Sequence, residues 1–226
     1  MRHELKVLAS VGLLSFYACT PPVIEEPGPV VPAFDCPPET ERPGLVRVTD
    51  AAPAIREDIR YATANNFTGA ALPGYEIPGA LLRPGAAAAL ARVQARLARQ
   101  GYGLKVWDAY RPLRATLAMV EWAETSGNEW VLNGWVARRS NHNKGNTVDL
   151  TVVRLDTGAE LDMGTPFDHF GDESRTANAS GQVAANRRIL VEAMRAEGFA
   201  NYSQEWWHYT HSADAEPVDV PIACYL

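Results

Sequence analysis

The chain has 226 residues, 46% hydrophobic and 21% charged, with a formal charge of -6. That is the composition of an ordinary globular protein with one main domain. The acidic balance excludes an electrostatic grip on nucleic acid and suits a small or cationic partner better.

The N-terminus reads "MRHELKVLASVGLLSFYAC". Arg2 and Lys6 precede an apolar stretch, Val7 to Ala18, that is too short to span a bilayer but right for the core of a signal peptide. Residues 1–18 are therefore read as a signal peptide, which implies export to a periplasmic compartment. Ala18 followed by Cys19 looks like a lipoprotein cleavage site, with Cys19 lipidated and the protein anchored to the membrane of the cell envelope. A plain cleaved signal is the alternative.

Residues 20 to 44 carry eight of the sixteen prolines, a composition that favours an extended, semi-rigid tether. Residues 19–44 are thus expected to be a Pro-rich linker, and 45–226 the folded domain. Cys36 and Cys224 remain as an even pair in an oxidising compartment. A bridge between them would close nearly the whole domain, and chain-entropy models put such a closure at roughly 4 to 5 kcal/mol. Two unpaired thiols are the alternative.

In "PGAAAALARVQARLARQG", Leu90, Val93 and Leu97 fall at helical spacing and Gly101 is placed to end the helix. "GLKVWDAYRP" reads as a short strand from Leu104 into a turn, because Pro112 pushes Arg111 out of helical dihedrals. "LRATLAMVEWAE" and "AANRRILVEAMRAEGF" follow helical patterns, while "VDLTVVRL" and "EWWHYT" read as strands. The fold class this implies is α+β, a small antiparallel sheet flanked by helices.

Two segments carry chemistry. In "SNHNKGNTVDLT", Asp149 sits inside an apolar strand, where a lone carboxylate costs several kcal/mol unless a partner compensates it. A cation answers that cost, and His142 lies across the Gly145 turn, near enough to converge on the same ion. In "SQEWWHYTH", Glu205 stands three residues before His208. A zinc hydrolase needs three protein ligands, an open fourth position and a carboxylate that takes the proton of water. His142, Asp149 and His208 supply the ligands for one zinc ion per chain, and Glu205 supplies the base. The plainer alternative is a capped loop histidine and an aspartate bonded to backbone. His169 is read as a loop residue, and His211 is not counted among the ligands.

The segments "SNHNKGNTVDLT" and "EWWHY" resemble the ligand motifs of zinc D-alanyl-D-alanine dipeptidases of the VanX-like type. "IRYATANNFTG", "GYGLKVWDAYRP", "RLDTGAELDMGTPFD" and "NRRILVEAMRAEGFANYSQEWWHY" extend the resemblance in family order from Leu45 to Tyr209. It implies a single zinc peptidase domain in which His142, Asp149 and His208 bind zinc, Glu205 is the general base and Arg111 faces the developing oxyanion. It places substrate contacts on Ser140, Asp168 and Tyr61, and makes the substrate a small dipeptide. Thr147 replaces a usual alanine, and this position together with Asn141, Asn143 and Lys144 is expected to face outward. The stretch between Glu121 and Arg139 is shorter than the family pattern. The same scaffold would also serve a peptidoglycan D,D-carboxypeptidase or endopeptidase. A non-catalytic, zinc-stabilised cell-wall-binding module is the remoter reading, and Glu205 speaks against it.

Overall fold

A computed structural model describes residues 36–211 and 215–226. The predicted signal peptide over 1–18, Cys19 and residues 19–35 of the predicted linker lie outside the described residues. Residues 36–44 are tied to the domain. Cys36 is disulfide-bonded to Cys224 with Cα atoms 5.6 Å apart, and the Arg42 guanidinium donates to the Cys224 carbonyl.

The strands and helices run in the order β1 (Val46–Arg47), α1 (Val48–Ala51), β2 (Arg56–Glu57), β3 (Leu81–Leu82), α2 (Pro84–Ala98) and β4 (Tyr102–Asp108). They continue with α3 (Leu113–Thr125), β5 (Thr147–Arg154), α4 (Gly181–Ala196), β6 (Phe199–Asn201) and β7 (His208–His211). A five-stranded sheet has the order β2-β4-β5-β7-β6, and β1 pairs with β3 in a separate ribbon. The fold is α+β. The sheet departs from a purely antiparallel one at a single edge, where β2 runs parallel to β4.

Local chemistry explains the main elements. Pro84 occupies the first turn of α2, where its missing N–H costs nothing, and Leu90, Val93 and Leu97 are fully buried against the sheet. Gly101, at φ 80°, turns the chain into β4 in a left-handed conformation. α2 packs on β4 and against α4, whose Leu190 and Met194 close the same core. β5 is buried on both faces as far as Val153, as the central strand of a covered sheet must be.

A bulge in β4 decides where the polar groups go. Val106 opposes Leu150, but Asp108 opposes Asp149, so Trp107 is the extra residue. One inserted residue re-aims the strand end. Asp149 in turn opposes His208 on β7, and Asp108, Asp149 and His208 thus form one row across three strands. "EWWHYT" is strand only from His208 onward. Residues 205–207 form the turn before it, and the Trp206 and Trp207 side chains are buried there.

Candidate active site

The first histidine is placed by a tight turn. Ser140 caps the turn Asn141–Lys144, its Oγ accepting from the His142 backbone N–H at 3.2 Å, while the Asn143 side chain accepts from the Ser140 N–H. Gly145, at φ 73°, closes the turn, and a Cβ there would lie 2.7 Å from Leu45 Cδ2. The chain then enters β5 with Asp149 two residues inside it.

Two residues expected to face outward are buried. Asn143 donates to the Arg111 carbonyl and to Thr116 Oγ1, both at 2.9 Å. The Thr147 hydroxyl pairs with that of Thr210 at 2.9 Å. Each has polar partners inside, so burial leaves nothing unsatisfied and no outward position is required.

His142 Nε2 lies 3.3 Å from Asp149 Oδ2 and 3.3 Å from His208 Nδ1, and His208 Nδ1 lies 3.0 Å from Asp149 Oδ1. Ligands held tetrahedrally at about 2.0 Å from one ion stand roughly 3.3 Å apart, so the spacing fits a zinc-sized ion. The chemistry of the donors agrees. His142 Nδ1 is 2.6 Å from the Ala109 carbonyl, which can only accept, so Nδ1 carries the proton and Nε2 presents its lone pair to the cluster. Asp149 Oδ1 is buried and accepts no hydrogen bond, which leaves a carboxylate oxygen free for a cation. These three side chains are the group that could hold a metal ion among the described residues.

Glu205 stands beside the cluster without belonging to it, its Oε2 3.5 Å from His208 Nδ1. Burial, then the neighbouring Asp149 and Asp168 carboxylates, push its carboxyl well above the usual range. Burial would also raise Asp149, but the imidazoles of His142 and His208 outweigh it and hold that carboxyl low. Burial lowers His208 despite the pull of Asp149.

Arg111 leaves the end of β4 just before Pro112 and is itself buried. Its Nη2 lies 3.9 Å from Asp149 Oδ2, and its guanidinium carbon sits 4.9 Å from the centre of the Tyr61 ring. The Tyr61 hydroxyl donates to Asp168 Oδ2 at 2.9 Å. Asp168 is the one non-glycine residue at positive φ among those described, at 59°, and the strained backbone turns its carboxylate toward Tyr61. Burial and then Asp149 push the Asp168 carboxyl up to about 8.

All eight residues singled out for the site, from Tyr61 to His208, line one cavity of about 300 Å³. That is the small end of the range for ligand pockets, about 300–1,000 Å³. Leu132, Trp135 and Val136, from the stretch between Glu121 and Arg139, form part of its wall. His169 is exposed and pairs with Glu173 at 3.4 Å, and His211 packs on Phe199.

Sequence reasoning missed Asp108 and Tyr75. Asp108 is fully buried; it accepts from Arg111 Nε at 3.0 Å and Nη2 at 2.8 Å, and from the Tyr75 hydroxyl. The signal that found Asp149, a carboxylate inside an apolar strand, was present in "KVWD" as well.

A histidine pair and an aspartate converging in a small cavity, with a glutamate alongside, are the donor set and neighbouring acid that a mononuclear metal hydrolase requires. Comparison with known proteins narrows the class. Residues 41–226 match the family model described as D-ala-D-ala dipeptidase, and the chain belongs to that peptidase family. It is 37% identical to the D-alanyl-D-alanine dipeptidase of Enterococcus faecium over 198 residues, 79% of this chain and 98% of the relative. The D-alanyl-D-alanine dipeptidase of Streptomyces coelicolor is 37% identical over 78% of this chain and 96% of its own length. That of Escherichia coli is 35% identical over 73% and 83%. A solved LD-carboxypeptidase structure overlays with a TM-score of 0.41 at 20% identity, covering 64% of this chain and 62% of that one.

Proposed function

We propose that the protein hydrolyses the free dipeptide D-Ala-D-Ala, with one zinc ion held by His142, Asp149 and His208. The observation that carries this reading is the convergence of two imidazole nitrogens 3.3 Å apart, each within 3.3 Å of one oxygen of the Asp149 carboxylate, in a cavity of about 300 Å³. When bound, zinc would polarise the scissile carbonyl and bring the pKa of the attacking water to about 7.

The chain's own groups do the rest. Glu205, whose carboxyl is raised by burial and the neighbouring carboxylates, accepts the proton of the attacking water and returns it to the leaving amine. Arg111 places positive charge where the carbonyl oxygen becomes negative, and losing one such donor typically costs on the order of 3 to 4 kcal/mol. Asp168, steadied by Tyr61, receives the substrate ammonium, and Ser140 stands at the rim beside the first imidazole. Phe67 and Phe170 wall the cavity near Asp168 and pack edge-on 5.1 Å apart. A cavity of this small volume favours a dipeptide over a peptidoglycan stem.

Export and envelope anchoring belong to the same reading; the N-terminal sequence supports them, and so does a disulfide, which persists in oxidising compartments. The test is an assay of the zinc-loaded protein on D-Ala-D-Ala and on a pentapeptide stem. Cleavage of the dipeptide is expected, and release from the pentapeptide alone would refute the assignment.

A further inference from the structure

Three acids are buried among the described residues: Asp108, Asp149 and Glu205. The chemistry above uses the last two. Asp108 has no solvent exposure, and a buried carboxylate is retained at a cost of several kcal/mol unless its partners compensate it. Its partners are unusual in being divided between two functional groups. Oδ2 accepts from Arg111 Nε and Nη2 and lies 3.3 Å from His142 Nδ1. Oδ1 accepts from the Tyr75 hydroxyl.

The consequence for Arg111 is orientation. With Nε and Nη2 both committed to one oxygen, the guanidinium plane is fixed edge-on by Asp108 and face-on by Tyr61. Nη1 is left pointing toward Met119 Sδ at 3.2 Å, a weak acceptor that a substrate oxygen can outcompete. The consequence for His142 is a second negative group beside the nitrogen that already donates to Ala109, which favours the tautomer with a free Nε2. The β4 bulge at Trp107 is what sets Asp108 opposite Asp149 and makes both contacts possible.

We propose that Asp108 is a positioning residue that braces, through one carboxylate oxygen, both the cation facing the oxyanion and the first metal-binding imidazole. This inference rests on the zinc dipeptidase reading. It also makes a claim about metal affinity that does not depend on the substrate.

The experiment is a double-mutant cycle of Asp108→Asn and Arg111→Ala, with kcat and KM on D-Ala-D-Ala and zinc affinity by chelator competition. Asp108→Asn is expected to lower kcat by about 100-fold with KM nearly unchanged. In the Arg111→Ala background the same change should lower kcat by less than about threefold. Zinc affinity should fall by about 10-fold in both backgrounds, as for other partners of ligating histidines. Tyr75→Phe frees Oδ1 without removing charge and serves if Asp108→Asn does not fold. It should lower kcat several-fold with the same non-additivity. Additive losses of kcat, or unchanged zinc affinity, overturn the proposal. A wild type inactive on D-Ala-D-Ala would refute the substrate reading alone, and the zinc measurement would still decide the role of Asp108.

Discussion

Asp149 and His208 are register partners on adjacent antiparallel strands, with Oδ1 and Nδ1 3.0 Å apart. Ladder geometry therefore fixes two of the three donors before any ion arrives, and the capped turn at Ser140 brings the third. A site held on strands keeps its geometry better than one held on loops. The functional groups around it then become separable by mutation.

Glu205 is beside the donors but is not one of them. Glu205→Ala should keep its zinc and lose activity by about 100- to 10,000-fold in kcat, the usual range for a general base. Parallel zinc analysis and steady-state kinetics check this, and a Glu205→Ala enzyme as active as wild type would remove the glutamate from the chemistry.

Asp168 is assigned to the substrate ammonium. Asp168→Asn should raise KM for D-Ala-D-Ala by on the order of 10- to 100-fold, the range expected for a lost charge-assisted hydrogen bond. An N-acetylated dipeptide, which has no ammonium, should show little further loss. Equal losses on both substrates would place the ammonium elsewhere.

The raised carboxyls of Asp168 and Glu205 predict how the zinc-free protein responds to pH. Asp168 is held up to about 8 and Glu205 is also raised, so between their ordinary pKa values and about pH 8 the unfolded chain has released protons that the fold retains. Stability contributed by these groups therefore falls as pH rises. His208, lowered in the fold, works the other way, but only below about pH 6.5, where the unfolded chain would be protonated. From pH 6.5 to 8 the Tm of zinc-free protein should fall, and zinc should flatten the slope by neutralising the cluster. A Tm that rises across this window without zinc would contradict the raised carboxyls of Asp168 and Glu205.

The Cys36–Cys224 bridge joins residues 188 apart in the sequence. It also ties down the C-terminal segment, whose Val218 N–H donates to the Asn143 carbonyl and whose Val220 exchanges hydrogen bonds with the Tyr110 hydroxyl. Cys36→Ser should cost roughly 2 to 5 kcal/mol, a fall in Tm on the order of 10 °C for a domain of this size. Calorimetry with and without reductant checks it; a wild type indifferent to reductant would show that the bridge adds little.

Much of this was legible because strong local signals and the site coincide. Helical spacing placed α2, α3 and α4, and the two ligand segments were visible as a carboxylate in an apolar strand and as an E-x-x-H pattern. What was not legible depended on contacts between distant segments. The two-residue strands β1, β2 and β3 carry no period of their own and exist only through their partners. The parallel β2 edge belongs to the same class. Thr147 and Asn143 read as outward because small polar residues beside a turn usually are; their partners Thr210 and Thr116 lie in other elements. Asp108 carried the same signal as Asp149 and was passed over; what the sequence could not show was its partners Arg111 and His142, which depend on a bulge, a property of pairing.

The central claim is that His142, Asp149 and His208 together grip one ion, and the most direct measurement is zinc per chain by elemental analysis after dialysis. Wild type and Glu205→Ala should each retain one zinc per chain, while His142→Ala, Asp149→Ala and His208→Ala, folded by circular dichroism, should retain almost none. Full zinc retained when any of those three is replaced would contradict it.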